Sequence, residues 1–460
     1  MVGQIAMPSR LNGASIFGTG RKTQLAMGYL SLLILPYAAT YMLGMDNKGW
    51  YGAILALINS IAMMAFFIQF PLGSRIKAIG LFANIDWSMT RHRQVGKWLG
   101  YIFFLHPFLI LAPRFFVSFD VGMTSAYELL TAPQSLTGVV AWGIMVLWIL
   151  TSIFKNKLPI KYETWRFTHM LGFVVIATLA TLHITGVGRH GQFQPMFNVL
   201  WLFLCSGSLA MVGYNYLLKP RKLKSRPFKL ANIKKVSSSD WELTLEKSDD
   251  AKFDFEAGQF AWINTSGSAH GVNEHPFSIA SCRENLPYLS FLIRELGDYT
   301  SKLGDLTIGQ DVYVDGPYGS VSLRCCERAK GIVLIAGGAG IGPMLGMLRK
   351  LAARNDQRPI RLIYGNNQFE QMVCQDEITA LEQTMSDFCQ QLVCAQATEQ
   401  PGVYQGFIDR VSIQQNLESH EIEDWCFYLC GPQPMVNAVC GHLKGLQVRD
   451  KHVNFEQLSF

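Results

Sequence analysis

Apolar residues are unevenly distributed along the 460-residue chain. Within its first 220 residues they gather into six long runs, at about 25–43, 53–71, 95–113, 136–154, 168–186 and 196–217. Each approaches the roughly 20 residues that a helix needs to cross a bilayer. None shows the strand-like alternation of a membrane barrel, so the pattern predicts a six-helix transmembrane bundle. Arg21 and Lys22 precede the first run, as in a signal peptide. That run is longer than a signal core and lacks a small-residue cleavage site, so it reads as a span.

Downstream the period changes twice. LLKPRKLKSRPFKL is a basic, proline-punctuated linker. Short alternating stretches such as WELTLEK and QFAWINT then predict a small antiparallel β-barrel. From residue 331, GIVLIAGGAGIGPMLGMLRKL reads as strand, glycine-rich turn and amphipathic helix, and strands at IRLIYG and WCFYLCG follow. That order predicts an α/β nucleotide-binding domain with a parallel sheet. The acidic residue of the NAD-type Rossmann motif is not evident, which points to a different nucleotide-binding topology. The expected organisation is multi-domain: an N-terminal segment 1–24, a transmembrane bundle 25–218, an antiparallel β-barrel domain 219–328 and an α/β domain 329–460.

Charge divides the chain in the same place. Residues 1–220 carry 16 Lys+Arg against 5 Asp+Glu, and the remainder carries 24 against 29. This excludes a uniform globular domain, a disordered chain and a nucleic-acid binder with clustered basic aromatics. Arg75, Lys77, Arg91, Arg93 and Lys97 border one side of the bundle, with Lys155, Lys157, Lys161 and Arg166. The opposite loops hold only Lys48, Arg114 and Arg189. The positive-inside rule then expects an inner (plasma) membrane protein with both termini and the second half cytoplasmic. Nine of the ten cysteines lie in that second half, in no zinc or iron–sulfur spacing, and read as reduced thiols.

Candidate chemistry sits inside the third and fifth runs. His92 and His106 are fourteen residues apart, and so are His169 and His183. Fourteen residues make about 3.9 helical turns, so each pair shares a face at about 21 Å separation. Both helices run in the same direction, which lets His92 meet His169 at one level and His106 meet His183 at another. Facing imidazoles supply two axial ligands, so the spacing offers two stacked bis-histidine haem sites. A lone intramembrane histidine serves equally well as a helix–helix hydrogen-bonding residue or in a proton path. Two matched pairs favour the metal reading. His190, in the loop GVGRHG, lies outside the pattern and reads as a surface residue. In LIRELGDYTSKL, Gly297 before a helix expected near Thr300 fits an anion site, with Arg294 as a charged contact. A surface turn explains those residues equally well.

The paired histidines, HPFSIAS, LIRELGDYT, VDGPYG, GGAGIGP, YLCGPQP and a terminal aromatic residue occur in one order. In that order the chain resembles the ferric reductase and NADPH oxidase superfamily of transmembrane flavocytochromes, over roughly residues 25–460. The resemblance implies that His275, Pro276, Phe277 and Ser278 border FAD, with Ser278 near its reactive edge. Arg294, Gly297, Tyr299 and Thr300 would hold its diphosphate side. Gly337, Gly338, Gly340 and Gly342, with Cys430, Gly431 and Pro432, would line the nicotinamide nucleotide site. Phe460 would stack on the flavin and move to admit nicotinamide; read from composition alone, it is an apolar anchor. Two departures stand out: Gly342 replaces a common Thr, and Asn366–Asn367 follow IRLIYG where many relatives carry an Arg suited to a 2′-phosphate.

Together these features imply an NAD(P)H oxidase or ferric-chelate reductase. Electrons would pass from cytoplasmic NADH or NADPH to FAD, then to a haem b on His92 and His169, and then to a second on His106 and His183. The acceptor at the outer face would be dioxygen, giving superoxide, or a ferric complex. The alternative is an electron donor to an external redox protein. A haem-carrying transporter is disfavoured by the continuous helices and the lack of intramembrane carboxylates.

Overall fold

In a computed structural model, residues 19–43, 49–75, 85–187, 195–248, 253–417, 422 and 424–455 are described. The chain separates into two compact units, one spanning Thr19–Arg221 and the other containing the residues from Lys222 onward.

Helices build the first unit: α1 (Thr19–Met42), α2 (Gly49–Gly73), α3 (Ile85–Val117), α4 (Phe119–Thr131), α5 (Leu136–Ile153), α6 (Tyr162–Val187) and α7 (Pro195–Gly213). After α7 a π-turn, Tyr214–Leu218, leads into the short basic α8 (Lys219–Lys224). Among the described residues, five segments are long and apolar enough to cross a membrane: Gly49–Gly73, Ser88–Val117, Pro133–Ile153, Tyr162–Gly186 and Pro195–Lys224. The first expected span is a helix whose apolar part, Met27–Met42, is shorter than these. Aromatic rings fill the bundle interior. Phe173 of α6 packs on Phe70 and Phe66 of α2, with ring centroids 4.2 and 4.6 Å away. Trp201 of α7 is buried beside Phe67.

Helix α4 occupies what the sequence pattern left as a loop. Its N-cap, Ser118, accepts a hydrogen bond from the Val121 amide at 3.2 Å. It is too short to span, so a search for transmembrane length passes over it.

The second unit opens with six strands: β1 (Phe228–Lys235), β2 (Asp240–Lys247), β3 (Phe260–Asn264), β4 (His275–Ser278), β5 (Tyr288–Arg294) and β6 (Asp311–Tyr318). They form an antiparallel sheet in the order β4-β3-β6-β1-β2-β5. Inward-facing Leu230, Leu243, Leu245, Ile263 and Phe291 make its core. The expected barrel is not closed by a ladder. Among the described residues, the two ends of the sheet pair through one isolated bridge, between Ile279, just past β4, and Phe291 of β5. The helix expected near Thr300 is a 3₁₀ turn, Thr300–Asp305. It ends at Leu306, whose amide returns to the Leu303 carbonyl, and so short a segment builds little macrodipole.

A parallel sheet follows, with β7 (Gly331–Gly337), α9 (Ile341–Ala353), β8 (Ile360–Asn366), α10 (Gln375–Thr384), β9 (Phe388–Cys394), β10 (Val403–Gln405), α11 (Arg410–Leu417), β11 (Trp425–Cys430), α12 (Gln433–Gly445) and β12 (Val453–Phe455). Strand order is β10-β9-β8-β7-β11-β12. Every residue of β7 is buried, as expected of a central strand covered on both faces. The order reverses beside β7: the chain steps outward through β8, β9 and β10, then returns to place β11 on the other side. A crevice at the strands' carboxyl ends is expected at that switch point.

Arg349 of α9 ties the two sheets together. It donates to both carboxylate oxygens of Glu377 on α10, at 2.6 and 2.7 Å. Its remaining nitrogen donates to the Ala280 carbonyl at 2.8 Å and the Ser290 hydroxyl at 3.1 Å, both in the antiparallel layer. Replacing Arg349 with Leu would leave those acceptors without this donor, at a cost on the order of 2 kcal/mol. The full-length variant is expected to melt at a lower temperature than wild type in a thermal unfolding curve followed by circular dichroism; an unchanged curve would contradict this role.

Candidate functional site

Strand β4 is half-buried throughout, and its period-2 alternation separates its side chains. Pairing with β3 sets Ser278 opposite Phe260 and His275 opposite Ile263. His275 and Phe277 share one face, where the Tyr299 ring covers them with centroids 4.0 and 6.2 Å away. The Tyr299 hydroxyl donates to the Ile263 carbonyl at 3.3 Å and accepts from the Thr265 hydroxyl at 3.1 Å. Burial pushes the Tyr299 phenol up to about 12, so it stays neutral through the physiological range.

Arg294 ends β5 and is fixed by Asp240 at the start of β2. Its Nε and Nη2 donate to the two Asp240 carboxylate oxygens at 2.9 and 3.1 Å, a bidentate geometry. Ser237 and Ser239 hydroxyls also donate to Asp240. The other terminal nitrogen, Nη1, sits where a Cβ on Gly338 would approach within 2.6 Å. Gly338 has φ +54°, a backbone region that favours glycine. In the adjoining loop, the Thr300 hydroxyl accepts from the Leu296 and Gly297 amides at 2.8 and 3.1 Å. Arg294 thus ends β5 at one end of the sheet order, and the Gly297–Thr300 turn after it carries the Tyr299 ring onto β4 at the other.

The glycine-rich turn after β7 meets the loop after β11 at the switch point. Cys430 pairs with Ala336 across the two strands. A Cβ on Gly340 would collide with the Cys430 carbonyl, and one on Gly337 with the Met435 sulfur. Gly431 is equally confined, with Met435 Cε 2.7 Å from its would-be Cβ and Gly337 also close. Gly342 differs: its nearest neighbour, Leu292, lies at an ordinary 3.5 Å. Pro432 is the N-cap of α12. At the end of β8, Asn366 is buried, its amide donates to the Gln371 carbonyl at 2.7 Å, and its side-chain oxygen accepts from the Asn367 amide at 2.9 Å. Asn366 shapes that turn.

In the helical unit, His92 and His106 lie on α3, and His169 and His183 on α6. The His92 and His169 rings meet across the bundle with centroids 6.2 Å apart and planes inclined at 65°. Two metal–nitrogen bonds of about 2 Å each, with the half-width of each ring, fill such a span. Among the described residues no group of three or more His, Cys, Asp or Glu is placed to hold a metal ion, so the available donors are the histidine pairs. Nδ1 of His92 and Nδ1 of His183 are buried without a hydrogen-bond partner. Glycines give these rings room: a Cβ on Gly73 would come within 3.3 Å of His92, and one on Gly138 within 2.5 Å of His183. Such a cradle suits a haem held between histidines. His190 and Phe460 lie outside the described residues.

Several partners of these side chains carry no motif. Asp240, Thr265, Gly73 and Gly138 become visible only through contacts distant in sequence. Asn59 and Ser152 gave a faint signal as polar residues in apolar runs, and they bond to His106 and His169.

Three family models match the chain: "Ferric reductase like transmembrane component" over residues 53–180, "FAD-binding domain" over 225–322 and "Oxidoreductase NAD-binding domain" over 334–441. Among curated proteins, the chain is 28% identical over 235 residues to the 2-halobenzoate 1,2-dioxygenase electron transfer component of Burkholderia cepacia, covering 50% of this chain and 66% of that protein. It is 30% identical over 241 residues to the propane 2-monooxygenase reductase component of Gordonia sp. (strain TY-5), covering 51% and 68%. The chain thus spans about two thirds of the length of these relatives. A solved structure, the flavohem-like FAD/NAD binding domain of nitric oxide dioxygenase from Vibrio cholerae O1 biovar El Tor, is similar at 24% identity and a TM-score of 0.44, covering 50% of this chain and 97% of that one.

The glycine contacts separate two substitutions that look alike in sequence. Gly340→Ala is expected to displace the Cys430 loop, costing about 1–3 kcal/mol, and to weaken nicotinamide nucleotide binding at least tenfold. Gly342→Ala should leave both melting temperature and affinity near wild type. Nucleotide titration with a parallel melting curve compares them, and equal effects would contradict the crevice geometry.

Proposed function

This chain belongs to the ferric reductase and NADPH oxidase superfamily, and we propose that it passes electrons from NAD(P)H through FAD and two b-type haems to an acceptor across the membrane. It is a multi-pass membrane oxidoreductase with a ferredoxin-reductase-type module that uses NAD(P)H. The single observation that carries the finer reading is the His92–His169 pair, repeated fourteen residues on by His106 and His183. Bound cofactors would supply hydride acceptance at the flavin and one-electron transfer at the haems, and the protein supplies placement and tuning.

On this reading the chain's own groups have distinct tasks. His275, Pro276, Phe277 and Ser278 border the flavin, with Ser278 at its reactive edge. Tyr299 stiffens that strand, and Arg294, oriented by Asp240, meets the flavin's diphosphate together with Gly297 and Thr300. Gly337, Gly338, Gly340 and Gly431 let the nucleotide approach the backbone, Gly342 and Pro432 begin the helices that flank that site, and Cys430 stands at the nicotinamide end. Phe460 is the flavin-stacking gate. His92 and His169 hold the cytoplasmic-side haem, beside Arg91, Arg93 and Lys155, and His106 and His183 hold the outer one. Six spans in an inner (plasma) membrane rest on the six apolar runs, and cytoplasmic termini on the basic residues of that side.

Dioxygen and ferric complexes would both suit an iron held between two histidines, which would supply outer-sphere electron transfer. A second reading is an electron donor to an external redox protein. It is favoured by relatives that are themselves named as electron transfer components. Oxidation of NAD(P)H by purified protein with dioxygen or ferric chelates, against activity that appears only on adding a partner protein, distinguishes these readings.

A pyridine haemochrome assay should find two haems per wild-type chain, and His106→Ala should remove the outer one while the inner remains; a single haem in fully loaded wild type would end the two-site reading. NADH should be accepted at least comparably to NADPH, because Asn366 and Asn367 stand where a phosphate-binding Arg is common. A hundredfold preference for NADPH in steady-state assays would refute this.

A further inference from the structure

One imidazole at each histidine level is anchored by a side chain, and its opposite number is not. His169 Nδ1 lies 3.3 Å from the Ser152 hydroxyl, and His106 Nδ1 lies 3.1 Å from the Asn59 side-chain oxygen. The partner rings, His92 and His183, have buried Nδ1 atoms without a hydrogen-bond partner.

Ser152 has one hydroxyl hydrogen, and it is donated to the Trp148 carbonyl at 2.9 Å. Toward His169 the hydroxyl can then only accept, so Nδ1 carries the proton. The Asn59 oxygen is likewise an acceptor, which places a proton on His106 Nδ1. In each ring the lone pair is left on Nε2, the nitrogen free to bind a metal. Ring orientation at His169 is fixed as well. Trp148 stacks on it at 4.4 Å and 19°, and the Trp148 indole nitrogen donates to the His169 carbonyl at 3.0 Å. Trp165 packs against the same ring at 4.8 Å. Trp148 and Ser152 are four residues apart on α5, so one helix face presents both contacts.

We propose that Asn59 and Ser152 are positioning residues, one per haem, that set the tautomer and electron donation of a single axial histidine at each level. The inference rests on the bis-histidine reading. A metal-bound imidazole whose other nitrogen donates to an acceptor is a more basic ligand, which favours the oxidised metal. The two levels could therefore be tuned independently, the outer through Asn59 and the inner through Ser152. The competing role is plain helix–helix hydrogen bonding within the membrane, which requires only that the polar atoms be paired.

Redox potentiometry with low-spin EPR on the full-length protein in detergent separates the two. Asn59→Leu removes the acceptor, so the outer haem's midpoint potential should rise and its EPR signal shift, with the inner haem unchanged. Asn59→Asp offers a stronger acceptor and should lower the same potential. Ser152→Ala should raise the inner potential alone. Loss of the outer haem in Asn59→Leu but not in Asn59→Asp also supports the assignment. Wild-type potentials in both Asn59→Leu and Ser152→Ala, equal shifts at both haems, the same direction for both Asn59 variants, or haem loss from both, would overturn it. Wild-type protein that binds fewer than two haems would instead remove the bis-histidine reading itself.

Discussion

Imidazoles inside an apolar helix bundle must each find something to bond, because hydrocarbon offers no water to satisfy them. That constraint organises much of the helical unit. Asn59 and Ser152 stand in predominantly apolar helices where each lies within hydrogen-bond reach of a ring nitrogen. Gly73 and Gly138 remove side chains where His92 and His183 need space. Trp148 takes part twice, through its ring face and its indole nitrogen. Two buried Nδ1 atoms remain without partners, and a buried polar atom left so calls for an explanation.

The soluble unit obeys a different constraint, steric closeness of backbones. At the switch point of the parallel sheet, the turn after β7 and the loop after β11 come so near that Gly337, Gly340 and Gly431 admit no Cβ without displacement. Arg294 extends this from the antiparallel sheet: with Asp240 holding two of its nitrogens, the third is aimed at Gly338. A rigid guanidinium with a defined partner suits anion recognition better than a mobile one. Arg349 secures the same two layers farther along α9, through the Ala280 carbonyl and the Ser290 hydroxyl.

The elements that sequence patterning missed share a cause. Helix α4 is short, and its exposed Phe119, Met123, Tyr127 and Leu130 recur at helical spacing without the length of a span. The turn at Thr300 resembles a helix start because Thr is a good cap. Its hydroxyl does cap the Leu296 and Gly297 amides, yet the segment stops after a 3₁₀ turn. Alternation identified β2 and β3, but it carries no information on whether a sheet's ends meet in a ladder or in one bridge.

By itself, the sequence determined the division into an apolar helical half and a strand-rich half, because hydrophobic run length and period are local properties. It also determined the histidine spacing, since a regular helix converts residue number directly into height and face. The order of HPFSIAS, GGAGIGP and YLCGPQP carried the family. Tertiary structure alone decided which side chains finish each site: Asp240 for Arg294, Thr265 for Tyr299, Asn59 for His106, and the Cys430 carbonyl against Gly340. These pairs lie tens of residues apart, and the only thing joining them is packing. A local pattern encodes which way a side chain points; the atom it meets is fixed when distant segments are brought together.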